Sequence, residues 1–358
     1  MSISLCVIAR DEEAFLPDCL RSVAGVVERI IVVDTGSRDQ TIRVAREAGA
    51  VVIAHTWNDD FAAARNAALQ AVDTPYVLLL DADERLARGA GRLLRKVAKK
   101  GKIDLGLLPL HNAAQRGASE EDVIAGKERR GDPILLARFF RNTGGLRWEG
   151  AIHENVDTWA RQPGRVIRAI EAPIIHLGAI PEVRAALGKD RRNLEMLERR
   201  CQAEPDHPVM GAHLAREYER TGDLVRAEAE AERAWRALLS SEASDPGRYD
   251  AILPTTLLVG YRLHGGHAQE ALQILEEARA IAPSHPNLDF LEAEALRRAA
   301  RRGGGDGTPR EVLERCAAAY RAALSRSGQT FTAEVIEGAT GDRSRLGLAS
   351  AALALDDH

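Results

Sequence analysis

Acidic residues follow two apolar runs near the start of the chain. Asp34 follows "RIIVV", and Asp81 and Asp83 follow "YVLLL" with one alanine between them. Hard divalent cations such as Mg²⁺ and Mn²⁺ take oxygen ligands, a few from the protein and the rest from water or phosphate. Each aspartate also has a structural explanation, because "DTGS" is typical of a turn and Asp83 can cap a following helix. The Asp-x-Asp pair nevertheless suits a metal bridging a diphosphate.

A basic residue is needed to complete a phosphate site. The sequence has no G-x-x-x-x-G-K-[ST] loop, and no G-x-G-x-x-G follows the first apolar run. A phosphate would therefore be held by a metal and an arginine rather than by a glycine loop. Arg65, in "FAAARNAAL", is the best candidate, and a solvated charge on a helix is the alternative.

Alternating apolar and amphipathic segments position these residues. "SISLCVIAR", "ERIIVVDTGS", "VVIAHTW" and "PYVLLLDAD" are typical of strands, and helical spacing separates them. Repeated units of this kind predict a parallel sheet with helices on both faces. The carboxyl ends of parallel strands meet at one edge, where ligands bind. Acidic side chains from residues 9–12, 34–37 and 81–83 should converge there, and a cation would offset their repulsion.

The rest of the chain changes character twice. Residues 101–176 have shorter apolar runs around a polar, glycine-containing segment, which predicts a mixed sheet. After Pro181 the sequence is helical, with paired segments such as "HLAREYERTGDLVRAEAEAERAW" that are typical of tetratricopeptide-like (TPR-like) hairpins. We expect a catalytic domain over 1–180, a connecting helix over 181–205 and a helical-repeat domain over 206–358. Polar insertions at 240–250 and 301–309 are predicted loops.

Bulk composition excludes several classes of protein. The chain has 358 residues and a net charge of −4, which gives no support to nucleic-acid binding by a general basic field. The four cysteines have no C-x-x-C spacing, so free thiols in a reducing compartment are expected. We find no leader-like start and no apolar stretch of the roughly 18 residues that span a membrane. The sequence therefore predicts a cytoplasmic protein without a membrane span.

Several ordered motifs resemble those of a known enzyme family. "SLCVIARDEEAFLPDCLRSV", "IIVVDTGSRDQT", "WNDDFAAARNAAL" and "YVLLLDADE" look like the successive motifs of family 2 glycosyltransferases, the inverting GT-A group. "ARFFRNTGGLRWEGAIHENV" and "IIHLG" resemble a bacterial subgroup often fused to TPR-like helices. The resemblance implies an α/β GT-A domain, Rossmann-like as in nucleotide-diphospho-sugar transferases, followed by an all-α TPR-like domain.

The resemblance also implies a substrate class and roles for residues. The donor would be a nucleotide-diphosphate sugar, most often a UDP-sugar, and the enzyme would be of the hexosyltransferase type with Mn²⁺ or Mg²⁺ as cofactor. Asp83 and His176 would bind the metal. The remaining donor-side positions would contact the nucleotide: Ala9, Arg10, Glu12, Asp34, Arg65, Asp81 and Ala82.

The segment "WEGAIHE" (residues 148–154) is the best place for a catalytic base, because inverting transfer needs a group that takes the acceptor's proton. Glu154 is the first candidate and His153 the second, with Glu149 and Asp157 as alternatives. Trp148 is a candidate for stacking on the acceptor, and a core position is the alternative.

Two departures and several open questions accompany the resemblance. Position 11 is Asp where the subgroup usually has Asn, and "IIHLGA" lacks the aromatic residues that commonly follow the histidine. A saccharide, a peptide or a modified nucleobase remains open as acceptor. The helical repeats could bind a partner protein or a second copy. A nucleotidyltransferase on a related scaffold and a non-catalytic helical scaffold are the competing hypotheses.

Overall fold

The chain divides into two units with separate hydrophobic cores, Met1–Lys189 and Asp190–His358. The computed structural model describes residues 1–186, 189–240, 251–282, 284–301, 308–327, 329, 331, 335–336, 339–340 and 342–356. The predicted insertions at 240–250 and 301–309 fall largely outside the described residues. The first unit extends somewhat beyond the predicted domain end at residue 180.

The first half of the N-terminal unit consists of β–α repeats. Strands β1, β2 and β4 are parallel, and β3 adds to the outer side of β2. The bounds are β1 Ile3–Ala9, α1 Leu16–Ser22, β2 Arg29–Asp34, α2 Thr41–Glu47, β3 Val51–Ala54, α3 Phe61–Gln70 and β4 Tyr76–Leu79. The predicted parallel arrangement is confirmed.

The second half of this unit completes a mixed sheet. Its elements are β5 Glu84–Leu86, α4 Ala90–Lys100, β6 Leu105–Ala113, α5 Glu120–Ile124, β7 Arg129–Arg141, α6 Asp157–Ala160, β8 Ile167–Ala169 and β9 Ile174–His176. Within the described part of the chain the strand order is β3-β2-β1-β4-β7-β6-β9-β5, with β8 paired to β6. Strand β7 is antiparallel to both β4 and β6, so the sheet is mixed after β4 as expected.

Helices cover both faces of the sheet. Apolar side chains of α1 and α4 pack with Leu5, Val7 and Leu78 on one face. Those of α3 and α6 pack with Val33 and Leu79 on the other face. Strands covered on both faces bury apolar side chains in either direction, which explains their nearly continuous apolar sequences.

Strand register brings the predicted site residues to one edge. Ala9 pairs with Asp34, and the Leu80 amide donates to the Cys6 carbonyl, which aligns the ends of β1, β2 and β4. His176 pairs with both Asn112 and Glu84, so β9 brings its last residue to the turn that carries Asp83.

The C-terminal unit is helical. The predicted connecting segment forms two helices, α7 Pro181–Ala186 and α8 Lys189–Ala203, of which α7 belongs to the first unit. The others are α9 Pro208–Arg220, α10 Leu224–Ser240, α11 Ile252–His264, α12 Ala268–Ile281, α13 Pro286–Arg301, α14 Pro309–Leu324 and α15 Asp342–Asp356. Left-handed glycines, Gly222 and Gly266, connect the first two hairpins. The predicted helical unit is confirmed.

Two sequence expectations concern the chain as a whole. All four cysteines are buried free thiols, as expected. Across the helices that the structure describes, we find none that combines the length and apolar character needed to cross a bilayer.

Candidate active site

A four-residue turn at the end of β4 carries the Asp-x-Asp pair. The Glu84 amide donates to the Asp81 carbonyl at 2.9 Å, and the Asp81 amide donates to Glu84 Oε2 at 3.0 Å. Both ends of the turn are thereby tied together. Asp83 lies within it, 4% exposed, and Ala82 is buried against the sheet core.

Asp81 lies between two arginines. Arg65 Nη2, from α3, is 3.0 Å from Asp81 Oδ1, and Arg138 Nη2, from β7, is 3.1 Å from Oδ2. Burial opposes ionisation of Asp81, but the two guanidinium groups outweigh it and lower the pKa to about 2. Asp81 is therefore an ionised carboxylate with both oxygens hydrogen-bonded.

Glu84 is a buried member of the site and not the ordinary flanking residue that its sequence position suggests. It is 1% exposed, and its Oε1 accepts a 2.6 Å hydrogen bond from Arg138 Nη2. Burial raises the pKa of Glu84 despite this ion pair. Leaving such a carboxylate without its partner would be costly.

Arg65 is buried and paired rather than solvated. It is 6% exposed, donates to both Asp81 and Glu154, and stacks over the Trp148 ring with 5.2 Å between its guanidinium carbon and the ring centroid. Burial works against its charge, but Glu154 and Asp81 outweigh this and raise its pKa. Its remaining nitrogen, Nη1, is buried and has no hydrogen-bond partner among the described residues.

Asp83 and His176 face each other across the candidate metal position. Asp83 Oδ1 lies 3.7 Å from His176 Nε2. Asn112 Oδ1 lies 2.8 Å from His176 Nδ1, so Nδ1 is the donor and Nε2 is the atom directed to Asp83. Burial opposes charge on His176, but Asp83 outweighs it and raises the histidine's pKa. The position therefore stabilises positive charge.

Gly178 leaves room beside this pair. A Cβ at Gly178 would come 2.0 Å from Asp83 Oδ2 and 2.7 Å from His176 Nε2. Within the described ranges no group of three or more histidine, cysteine or acidic side chains is arranged for a metal. A carboxylate and an imidazole fit Mn²⁺ or another divalent ion that takes its other ligands from phosphate and water.

The loops after β1 and β2 are bonded to each other beside this site. Asp34 accepts hydrogen bonds from the amides of Gly36 and Ser37, which is turn geometry and explains its position without a ligand. The Glu12 amide donates to Thr41 Oγ1 at 2.8 Å. Nucleotide contacts of Asp34 and Glu12 therefore stay predictions, as do those of the buried Ala9 and Ala82 and the exposed Arg10.

The backbone conformation at residue 11 explains why Asp can stand where the subgroup usually has Asn. Its φ is 55°, in the left-handed region that Asn and Asp tolerate better than most residues. Its carboxylate accepts from the Arg38 amide at 2.7 Å. Either residue type satisfies this backbone position.

The four candidate bases lie on one short loop and the helix that follows. Glu149 and Asn155 exchange backbone hydrogen bonds, and His153 has a φ of 50° between them. Glu154 contacts Arg65, whereas Glu149 accepts from the exposed Thr158 hydroxyl and Asp157 pairs with Arg161. Glu154 is therefore the candidate that is directly joined to Arg65 and, through it, to Asp81.

Trp148 is a core residue in this structure. It is 6% exposed, packs edge-on against Phe140, and exchanges backbone hydrogen bonds with the Asn66 side chain. We therefore propose no acceptor contact for Trp148, since its visible role is to pack against Arg65.

Four residues at the site were not predicted from sequence: Glu84, Asn112, Arg138 and Gly178. Arg138 had a usable signal, because an arginine inside the apolar run "ILLARFF" must find a partner if it is buried. Asn112 and Gly178 had none, since their roles depend on how β6 and β9 pair.

The N-terminal part of the chain matches a known protein family. Residues 4–133 match the model of the family described as "Glycosyl transferase family 2". A TPR repeat-containing protein of Synechococcus elongatus is 34% identical over 232 residues, which cover 63% of this chain and 54% of that protein. The prophage-derived glycosyltransferase SunS of Bacillus subtilis is 25% identical over 213 residues, or 58% and 47% of the two chains. The chain spans about half the length of these curated relatives.

Among solved structures, Staphylococcus aureus TarS 1–349 in complex with UDP-GlcNAc aligns over 86% of this chain and 93% of its own. The TM-score is 0.42 and the identity 13%. At this TM-score and identity the structural likeness carries no weight, and the family match rests on the sequence of residues 4–133.

Proposed function

We propose that the protein, whose residues 4–133 match the glycosyl transferase family 2 model, is a metal-dependent inverting glycosyltransferase with a nucleotide-diphosphate sugar, most simply a UDP-sugar, as donor. The observation that carries the proposal is the pairing of Asp83 with His176 next to the ion pair between the buried Arg65 and Asp81. In this proposal, the metal ion would lie beside Arg65 at the edge where the parallel strands end.

Different residues at this edge would contact different parts of the donor. Asp83 and His176 would hold the divalent ion, which when bound neutralises charge on the leaving diphosphate. Arg65 supplies a second, permanent positive charge, and the partnerless Nη1 fits an anionic ligand. The β1–α1 and β2–α2 loops would contact the nucleoside.

Proton transfer is assigned to Glu154. The nucleophilic atom of the acceptor forms a bond to the anomeric carbon while the bond from that carbon to the diphosphate oxygen breaks. The electron pair of that bond leaves with the diphosphate, and the acceptor's proton moves to the Glu154 carboxylate. Its ion pair with Arg65 fixes the orientation of this carboxylate.

The helical-repeat unit is proposed to bind the acceptor or a partner protein, because helical solenoids present extended surfaces. The acceptor class stays open among saccharide, peptide and modified nucleobase.

Ligand-dependent stability tests the proposal. Mn²⁺ with UDP should stabilise the wild-type protein, by about 2.7 kcal/mol at a ligand concentration 100 times Kd. Asp83→Asn should remove this stabilisation, because it removes a metal ligand. Asp73→Asn is the matched control, since Asp73 is an exposed carboxylate that pairs with Arg29. Thermal unfolding with each ligand alone and together is the measurement.

A second readout separates binding from chemistry. Nucleotide release from a panel of donors should require a divalent cation, and Glu154→Gln should slow it by about 10²–10⁴-fold while the stabilisation by Mn²⁺ and UDP persists. Wild-type protein that shows neither stabilisation nor nucleotide release with any donor would contradict the proposal and favour a non-catalytic scaffold. Release of pyrophosphate from a nucleoside triphosphate would instead favour a nucleotidyltransferase.

A further inference from the structure

Arg138 lies at a β-bulge next to the candidate site. On β6, Gly106 pairs with Phe139 and the next residue, Leu107, pairs with Ala137, so Arg138 has no residue opposite it. The packing shows the same interruption. Leu136 and Phe139 pack into one core and Ala137 and Phe140 into the other, which places one extra residue between them. Bulges of this kind redirect a side chain and are common beside active sites.

The bulge directs Arg138 to both ends of the Asp81–Glu84 turn. One nitrogen, Nη2, is 3.1 Å from Asp81 Oδ2 and 2.6 Å from Glu84 Oε1. Arg138 is 9% exposed and Glu84 is 1% exposed, so the contact between them is shielded from water. Asp83 lies between the two carboxylates that Arg138 holds.

Three carboxylates within four residues repel one another unless positive charge lies between them. Arg65 contacts Asp81, whereas Arg138 contacts both Asp81 and Glu84. On the other side of the turn, Glu84 pairs in register with His176. A turn fixed at both ends therefore fixes the separation of Asp83 from His176.

We propose that Arg138 is a positioning residue that holds the Asp81–Glu84 turn closed, so that Asp83 is presented to His176 before any ligand arrives. The consequence of Arg138 for metal and donor binding rests on the proposed function. Its role in holding the Asp81–Glu84 turn does not. Arg138 touches neither donor nor metal in this assignment and acts through Asp81 and Glu84.

Amide hydrogen exchange of the full-length protein tests the structural part. Arg138→Met should increase exchange at residues 81–86, because it leaves Glu84 without its cation. Arg138→Lys should restore part of the protection. Arg141→Met is the matched control, since Arg141 lies on the same strand but pairs with Asp104 and the Gly101 carbonyl. Protection at 81–86 that is the same in Arg138→Met and wild type overturns the proposal.

Metal dependence tests the functional part. In Arg138→Met the Mn²⁺ concentration for half-maximal stabilisation by UDP should rise about 10–100-fold, the usual effect of removing a residue that orients a metal ligand. The Mn²⁺ concentration that Arg138→Lys requires should lie between those of Arg138→Met and wild type. Arg141→Met should require the same Mn²⁺ concentration as wild type, even if its melting temperature is lower. Faster exchange at 81–86 with an unchanged Mn²⁺ requirement would overturn the positioning role. Wild-type protein without any Mn²⁺ or UDP effect would refute the proposed function, while the exchange comparison would still decide whether Arg138 holds the turn.

Discussion

Gly178 is a small residue with a large steric effect at the candidate metal position. Its missing side chain leaves the space between Asp83 Oδ2 and His176 Nε2, both of which a Cβ would meet at less than a normal contact distance. Neither the carboxylate nor the imidazole moves easily, because His176 is bonded to Asn112 and Asp83 is buried. The candidate metal position therefore requires a glycine at residue 178, although Gly178 has no side chain to bind the ion.

Gly178→Ala should consequently lower the affinity for Mn²⁺ with UDP by at least about tenfold, and overpacking should cost about 1–3 kcal/mol of stability. Titration calorimetry and thermal unfolding measure the two effects. Gly144→Ala is the control, because a Cβ there meets no atom within 4 Å. Equal metal affinity in Gly178→Ala and wild type would show that the ion is not held between Asp83 and His176.

At the scale of elements, Asp39 joins the two loops that would surround the nucleoside. Its carboxylate accepts from the Thr41 hydroxyl and amide and from the Glu13 amide, which ties the start of α2 to the loop after β1. Partial burial opposes ionisation, but the hydrogen bonds from Thr41 and Glu13 outweigh it and lower the pKa of Asp39 below its usual 3.8. The ionised carboxylate is therefore the form that stabilises these loops.

Asp39→Ala should lower the free energy of unfolding by about 1 kcal/mol at neutral pH. A carboxyl whose pKa is lower in the folded state stabilises the fold above pH 3.8 and loses this effect as the pH falls through its folded value. The difference between variant and wild type should therefore shrink on acidification below that pH. Denaturant unfolding at several pH values measures it, with Asp73→Ala as the exposed control. A pH-independent difference would mean that the charge of Asp39 is not responsible.

The elements also show what could be read from the sequence. The apolar runs of β1, β2 and β4 predicted the parallel sheet, because their side chains are buried on both faces. The convergence of Asp34, Asp81 and Asp83 on one edge followed from that topology. The contacts of Arg138 and Asn112 could not be predicted, because they depend on a bulge in β7 and on the pairing of β6 with β9. For Trp148 the sequence allowed both an acceptor contact and a core position, because an indole suits a sugar face and a core equally, and only packing distinguishes the two.

At the scale of the whole molecule, each unit has its own core. The N-terminal unit buries apolar residues on both faces of its sheet. The helical unit buries others between its hairpins, among them Trp235, Leu275 and Tyr320. Separate cores are able to unfold in separate steps.

Two unfolding transitions should therefore appear in calorimetry of the full chain. Mn²⁺ with UDP should raise the temperature of the transition of the N-terminal unit and leave the temperature of the other unchanged. An acceptor or partner held by the repeats should raise the second transition. If the donor raises both transition temperatures equally, the two units unfold as one. If an acceptor raises only the transition temperature of the N-terminal unit, a binding role for the repeats is contradicted.

Gly178 finally offers a way to sort natural relatives of this chain. A relative that retains Asp83 and His176 but carries a larger residue in place of Gly178 would fill the cation position with its own side chain. Its acidic motif would look intact although the protein had lost catalysis. In genome surveys, the glycine two residues after the histidine should therefore be checked together with the aspartates before the proposed metal site of a relative is taken to be intact.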